Sequence, residues 1–321
     1  MKKNVLIFNQ SSELYGSDKA LLELLEHYPG NYNPIVVLAA EGPLKEILLS
    51  KGIRVIKAPV MKLTRKRMSP IGMLGLMADM ISGLFTLWRA TLKLNIRLVH
   101  SNSIAVLMGG FYAVIFRKKH VWHVHEIVEH PKLVANLYPK WVNFFSHYII
   151  FNSGAAMNRF LEVVPSIKKK SAVVYNGQTR MEKTLTANER VLFRQEKFNC
   201  SDTNIVIGLV GRISRWKGQL LLLDAFKKLI EKHPDTRLVY LGSPPPGQEY
   251  FLENLQSKIA EYHLSQFVTL IGFDQNIWPY YDAMDIVAVP STDPEPFGLV
   301  ATEAMLSSKP VVGSGFGGLA E

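Results

Sequence analysis

Short apolar runs alternate along this chain with longer stretches whose apolar positions recur every three or four residues. "NVLIFNQ", "PIVVLAA", "IRVIKAP", "IRLVHSN", "HVWHVHE", "HYIIFNS" and "SAVVYNG" read as buried strands, with helical patterns between most of them. Near residue 176 the pattern breaks at the polar stretch "NGQTRMEKTLTANERVLFRQEKFNCSDTN", which holds one helical pattern. It restarts with "IVIGLVG", "TRLVYLG", "FVTLIGF", "DIVAVPS" and "KPVVGSG", again with helices between. Strands that are apolar throughout are covered on both faces, so each set predicts a parallel sheet between helices. The chain reads as two doubly wound α/β units in tandem, residues 1–180 and 181–321. A ligand is expected in a cleft between them, at the carboxyl ends of both sets of strands.

Composition narrows the class. At 321 residues the chain can build two ordinary cores, and 48% hydrophobic with 20% charged residues places it among soluble globular proteins. "VLIF" after "MKKN" is too short for a secretory signal, and "IGMLGLMADMISGLFTLW" at 71–88 contains Asp79 and precedes Arg89, which makes it a poor membrane span. The single cysteine, Cys200, rules out an internal disulfide and fits a reducing cytoplasm. The net charge of +10 is uneven: residues 1–180 hold 24 Lys and Arg against 10 Asp and Glu, and residues 181–321 hold 13 against 17. A first half this basic either faces something anionic, such as a membrane surface, nucleic acid or acidic acceptor, or simply keeps the chain in solution. The basic cluster "KLTRKR" at 62–67 adjoins the apolar helix pattern at 70–94, which fits a helix lying in a membrane interface equally with an ordinary core helix after a charged loop. No interleaved aromatic and basic pattern points to a nucleic-acid module.

Candidate chemistry gathers at the turns that follow strands. "GLVGRISRWKGQ" leaves a strand and opens a helix near Trp216, placing Arg212 and Lys217 where backbone N–H groups and the helix dipole already favour phosphate. It is not a Walker A loop, because its order is Lys-Gly and no Ser or Thr follows for magnesium. In "STDPEPFGLVATEAMLSSKPVV", residues 291–312, two prolines keep Glu295 extended and a helix starts near Phe297 and Gly298. Glu303 lies five residues beyond Gly298, roughly 7.5 Å along a helix, an offset that suits phosphate at the helix end and a ribose diol further along. The plainer reading of this pair is two solvent-facing acids flanking a helix start. "SSELYGSDKALLELL" puts Gly16 in the turn after the first strand, where a backbone can approach a ligand or merely turn. "VWHVHEIVEHP" offers His123, His125, Glu126, Glu129 and His130, but His125 and His130 are five apart rather than four, so no metal site is expected. His125, at a strand's carboxyl end, reads better as a hydrogen-bonding or charge-balancing group. No "GxSxG" elbow occurs, and "GSGFGG" at 313–318 is expected to give a ligand access to bare backbone.

Together these motifs resemble glycosyltransferase family 4, the retaining group 1 enzymes of GT-B fold, over nearly the whole chain. The resemblance is carried by "LYGSDKALLELL", "HVHE", "VVYNG", "GRISRWKG", "EPFGLVATEAM" and "GGLAE", in that order. It implies a GT-B fold of two Rossmann-like domains, acceptor-binding first and nucleotide-sugar-binding second. It further implies transfer of a sugar from a UDP- or GDP-sugar to a lipid-linked, polysaccharide or other glycan acceptor, without a metal or other cofactor. By position it gives Arg212 and Lys217 the donor diphosphate and Glu303 the ribose. Glu295, with amides at Phe297, Gly298 and Leu299, takes the donor sugar; His125 takes the sugar's reacting face and Gly16 the phosphates. Arg and Lys can neutralise a departing diphosphate as magnesium does elsewhere. The basic first half then fits a cytoplasmic enzyme held peripherally at the inner face of an anionic membrane. A GT-B phosphorylase, or a non-catalytic binder of anionic membranes, is the alternative. Two departures stand out: "YGSDK" replaces the family's usual paired glycine and acid, and the family usually continues for several tens of residues past the position of Glu321, so a truncated record is expected.

Overall fold

A computed structural model describes residues 2–61 and 70–321, so the basic cluster at 62–67 lies outside the described residues. The chain divides into two compact units, Met1–Gly177 and Gln178–Glu321.

In the first unit the strands are β1 (Lys3–Asn9), β2 (Tyr32–Leu38), β3 (Arg54–Lys57), β4 (Ile96–Asn102), β5 (Lys119–Val124), β6 (Tyr148–Phe151) and β7 (Ser171–Val173). They form one parallel sheet in the order β3-β2-β1-β4-β5-β6-β7. The connecting helices are α1 (Gly16–Glu26), α2 (Pro43–Ser50), α3 (Pro70–Thr91), α4 (Met108–Ile115), α5 (Lys132–Phe145) and α6 (Gly154–Leu161). The side-chain period of two along β1 shows why its apolar run is continuous. Leu6 and Phe8 pack on one face with Val106, Met108 and Trp122, while Val5 and Ile7 pack on the other with Leu21, Leu44 and Leu48. Strand order reverses at β1, whose neighbours are β2 and β4, so the crevice of this sheet opens at the carboxyl ends of β1 and β4.

The second unit repeats the plan with β8 (Ile205–Val210), β9 (Thr236–Leu241), β10 (Val268–Ile271), β11 (Ile286–Val289) and β12 (Val311–Gly313), parallel in the order β10-β9-β8-β11-β12. Its helices are α7 (Ala187–Phe193), α8 (Gln219–Ile230), α9 (Tyr250–Glu261), α10 (Trp278–Ala283) and α11 (Leu299–Leu306). Here the order reverses at β8 and β11. Arg194, 1% exposed, ties this unit together by donating to Ala283 O at 2.8 Å and Asp285 Oδ1 at 2.7 Å.

One helix start differs from the sequence reading. α8 opens at Gln219 rather than near Trp216, because Gly218 adopts φ +79° and the Trp216 carbonyl instead accepts Thr292 N–H at 2.8 Å. A Cβ at Gly218 would strike the Pro290 carbonyl, so only glycine allows that approach. α11 opens at Leu299, with Gly298 as its left-handed cap at φ +93°, beside the residues at which the sequence places a helix start. The apolar helix pattern at 70–94 is α3, and it is apolar on both sides. Leu76 and Leu87 are buried inward, whereas Met73, Leu74, Met77, Ile81, Phe85 and Trp88, with Leu92 just beyond, are 44–68% exposed. Among the described residues no helix is long and apolar enough to cross a membrane.

Candidate functional site

The crevice of the second sheet gathers the cations and carboxylates of its two motifs. Lys217 arrives in the loop after β8 and Glu295 in the loop after β11. Lys217 Nζ donates to Glu295 Oε1 at 2.5 Å and lies 4.3 Å from the centroid of the Trp216 ring. The same carboxylate oxygen accepts Ser291 Oγ–H at 2.6 Å. Glu295 is 4% exposed and Glu303 3%, so neither is the solvent-facing acid of the plainer sequence reading.

The Glu295 loop is fixed by backbone packing. Glu295 O accepts the Gly318 amide at 2.6 Å, and Ser291 O accepts Ser314 Oγ–H at 2.7 Å. A Cβ on Gly317 would come within 2.6 Å of Glu295 O, and one on Gly318 within 2.5 Å of Pro296 O. Gly317 and Gly318 of "GSGFGG" therefore serve close packing against the backbone of the acid's loop, while Gly313 and Gly315 are exposed.

Glu303 sits on α11, one turn beyond Leu299, and its Oε2 accepts Tyr281 O–H at 2.8 Å. Tyr281 is fully buried, and burial, then the charge of Glu303, push its hydroxyl well above its ordinary range. The phenol thus stays a donor and the carboxylate an acceptor. Gly298 is buried, with Phe297 and Leu299 half-buried beside it at the start of α11, where amides and helix dipole favour an anion. Arg212 is exposed, and its carbonyl accepts Gln219 Nε2–H at 2.8 Å. The structure thus brings Lys217, Glu295, Gly298 and Glu303 around the loop after β11 and the first turns of α11. Such a set can hold a phosphate at the Lys217 ammonium and helix amides and a hydroxyl-bearing group at carboxylates.

In the first unit Gly16 is the exposed first residue of α1, and its φ is not positive, so what it offers is the lack of a side chain. His125 follows β5, is 8% exposed, and bonds through Nε2 to Asn102 Oδ1 at 2.9 Å. As the period-two reading requires, its ring meets that of His123, with centroids 3.9 Å apart; His100 of β4 stacks on His123 at 5.8 Å. Burial, then neighbouring His100, pull His125 down to about 3, so the imidazole is neutral near pH 7. Glu126 accepts from Ser103 Oγ, from Ile104 N at 3.2 Å and from His125 N at 3.1 Å, yet burial outweighs these donors and raises its carboxyl. Among the described residues no group of three or more His, Cys, Asp and Glu is placed to hold a metal ion.

Sequence reasoning missed Tyr281, Ser291, Asn9, Asn102 and Asp18. The signal for two of them was present, because Asn9 and Asn102 are polar side chains at the carboxyl ends of predicted strands. The register of β1 on β4 pairs them directly.

Comparison with known proteins follows the same division. The family model described as "Glycosyltransferase Family 4" matches residues 16–178, and "Glycosyl transferases group 1" matches residues 193–321. An uncharacterized glycosyltransferase of Methanocaldococcus jannaschii is 35% identical over 154 residues, covering 47% of this chain and 38% of that protein. A D-inositol 3-phosphate glycosyltransferase of Corynebacterium urealyticum is 34% identical over 176 residues, covering 53% of this chain and 41% of that protein. The matched stretch is therefore less than half of either curated relative. The crystal structure of Anabaena HepE in complex with UDP and glucose superposes with a TM-score of 0.82 at 27% identity, covering 98% of this chain and 82% of that one. The two matched models, the two parallel sheets and the placement of both motifs at strand ends lead to one assignment: the chain belongs to glycosyltransferase family 4, the group 1 glycosyltransferases of GT-B fold.

Proposed function

We propose that this protein is a retaining glycosyltransferase that takes a sugar from a UDP- or GDP-sugar and passes it to a lipid-linked or polysaccharide-type acceptor. The observation that carries this reading is the set of two buried carboxylates and one half-buried cation around the start of α11: Lys217 on Glu295 at 2.5 Å, with Glu303 one turn into the helix. Arg212, Lys217 and the amides of Phe297, Gly298 and Leu299 take the diphosphate. Glu303, held by Tyr281, takes the ribose diol, and Glu295 takes hydroxyls of the donor sugar. His125, neutral and buried, serves the reacting face of the sugar, and Gly16 leaves room for phosphate oxygens. Charge builds on the leaving diphosphate as the glycosidic bond breaks, and fixed cations and amides stabilise it without reorganising. UDP and UDP-glucose in the HepE structures support the choice of donor class. In titration calorimetry with UDP and GDP, one nucleotide should bind, and Glu303→Ala should weaken it about tenfold to a hundredfold. Equal affinity in the variant would contradict the assignment of Glu303.

Membrane docking belongs to the same reading. The outer face of α3 exposes Met77, Ile81, Phe85 and Trp88, with Arg89 placed over the Phe85 ring at 5.9 Å. An apolar stripe with cations beside it suits the interface of an anionic bilayer, where a lipid-linked acceptor resides. The protein should sediment with phosphatidylglycerol vesicles and not with phosphatidylcholine vesicles. A phosphorylase would instead release sugar only when phosphate is supplied.

A further inference from the structure

The crevice at the ends of β1 and β4 holds a line of polar side chains that the donor site does not use. Asp18 is fully buried and accepts hydrogen bonds from Asn9 Nδ2 at 2.7 Å, Ser11 Oγ at 2.6 Å and Tyr15 N at 3.0 Å. The Ser11 hydroxyl accepts Glu13 N–H at 3.1 Å, so its own proton is turned toward Asp18. Asn9 and Asn102, 0% and 1% exposed, are cross-strand partners, and Asn102 Nδ2 donates to Asn9 Oδ1 at 2.8 Å and to Ser17 O at 3.1 Å. Asn102 Oδ1 then meets His125 Nε2 at 2.9 Å.

The direction of this line is fixed from its far end. A carboxylate can only accept, so Asn9 must turn its Nδ2 to Asp18, which leaves Asn9 Oδ1 facing Asn102. Asn102 must then present Nδ2 to Asn9 Oδ1, and the Ser17 carbonyl, also acceptor-only, demands the same orientation. Its remaining atom, Oδ1, accepts, so the imidazole must donate. A neutral imidazole carries one N–H, and the bond made by one nitrogen decides the role of the other. We propose that Asp18, Asn9 and Asn102 are positioning residues that hold His125 as its Nε2–H tautomer and so present Nδ1 to the crevice as a hydrogen-bond acceptor. Among the described residues Nδ1 makes no hydrogen bond, which leaves it for a ligand hydroxyl. Burial favours the same neutral form. The role of this acceptor in sugar transfer rests on the function proposed above; the tautomer itself does not.

The test is long-range 1H–15N spectroscopy of 15N-histidine-labelled protein near pH 7, with His125 assigned by its loss in His125→Gln. Wild type should show a protonated Nε2 and an unprotonated Nδ1. Asn102→Leu, close to isosteric, should bring both nitrogens to intermediate shifts, with folding checked by circular dichroism. Asp18→Asn, two side chains away from the ring, should move them the same way by less, because Ser17 O still orients Asn102. With UDP-glucose as probe, kcat of Asn102→Leu should fall about 10- to 100-fold while donor KM changes less than about threefold. An Nδ1–H tautomer in wild type, or unchanged shifts in folded Asn102→Leu, would overturn the proposal; wild-type kcat in that variant would overturn its role in transfer. Should wild type release no UDP, the transferase reading fails, while the nitrogen shifts still decide the tautomer.

Discussion

Glu295 Oε1 receives two donors, Lys217 Nζ and Ser291 Oγ, in a place where water has little access. Replacing Lys217 by Met leaves that carboxylate buried with only the hydroxyl, which should cost about 3 kcal/mol in urea unfolding of the second unit. The double substitution Lys217→Met with Glu295→Gln should recover most of that loss, because the unpaired charge is gone. A Lys217→Met cost below about 0.5 kcal/mol would mean that the pair is not buried as described. The acids themselves were legible from spacing to two prolines and a glycine. Their partners were not: Lys217 and Glu295 are 78 positions apart, and only the adjacency of β8 and β11 brings their loops together. Tyr281 was hidden for another reason, since on a short buried helix it reads as one more aromatic core residue.

At the scale of elements, every strand read from sequence is present; β1, β2, β8 and β9 carry runs of buried residues, and their short length between turn residues marks such apolar runs as strands. The start of α8 was less legible. α8 and α11 both wait for a glycine with positive φ, and the contact that demands glycine at 218, the Pro290 carbonyl, comes from another loop. α3 is where sequence left two readings open, and its exposed apolar face decides what should be measured. Ile81→Glu and Phe85→Glu replace exposed side chains, so each should change stability by no more than about 0.5 kcal/mol. Together they should abolish sedimentation with phosphatidylglycerol vesicles. Retained binding would remove α3 from the docking surface. A large loss of stability would instead show that this face packs against protein.

At the scale of the molecule, the first unit carries an acid sensitivity that its sequence did not announce. His100 and His125 are lowered to about 3 and His120 to about 4, all first by burial, and His123 is lowered well below its usual value for the same reason. An unfolded chain would protonate these rings near pH 6.5, whereas the folded one does not, so the unfolded state binds more protons below that pH. Stability is therefore fully present above about 6.5 and lost as the pH falls toward 4. Each such ring contributes up to about 1.4 kcal/mol per pH unit. Urea midpoints of the first unit measured from pH 7.5 to 5 should fall accordingly, and His100→Phe should flatten the slope; a midpoint independent of pH would contradict the buried neutral cluster.

The central claim concerns the whole protein, that its second crevice holds a nucleotide-sugar for transfer. It is tested most directly by incubating the protein with a panel of UDP-, GDP- and ADP-sugars and measuring release of free nucleotide. The account predicts release from a UDP- or GDP-sugar in wild type, and at least a tenfold loss in both Arg212→Ala and Glu303→Ala. No release from any donor, with both variants binding nucleotide as well as wild type, would contradict it.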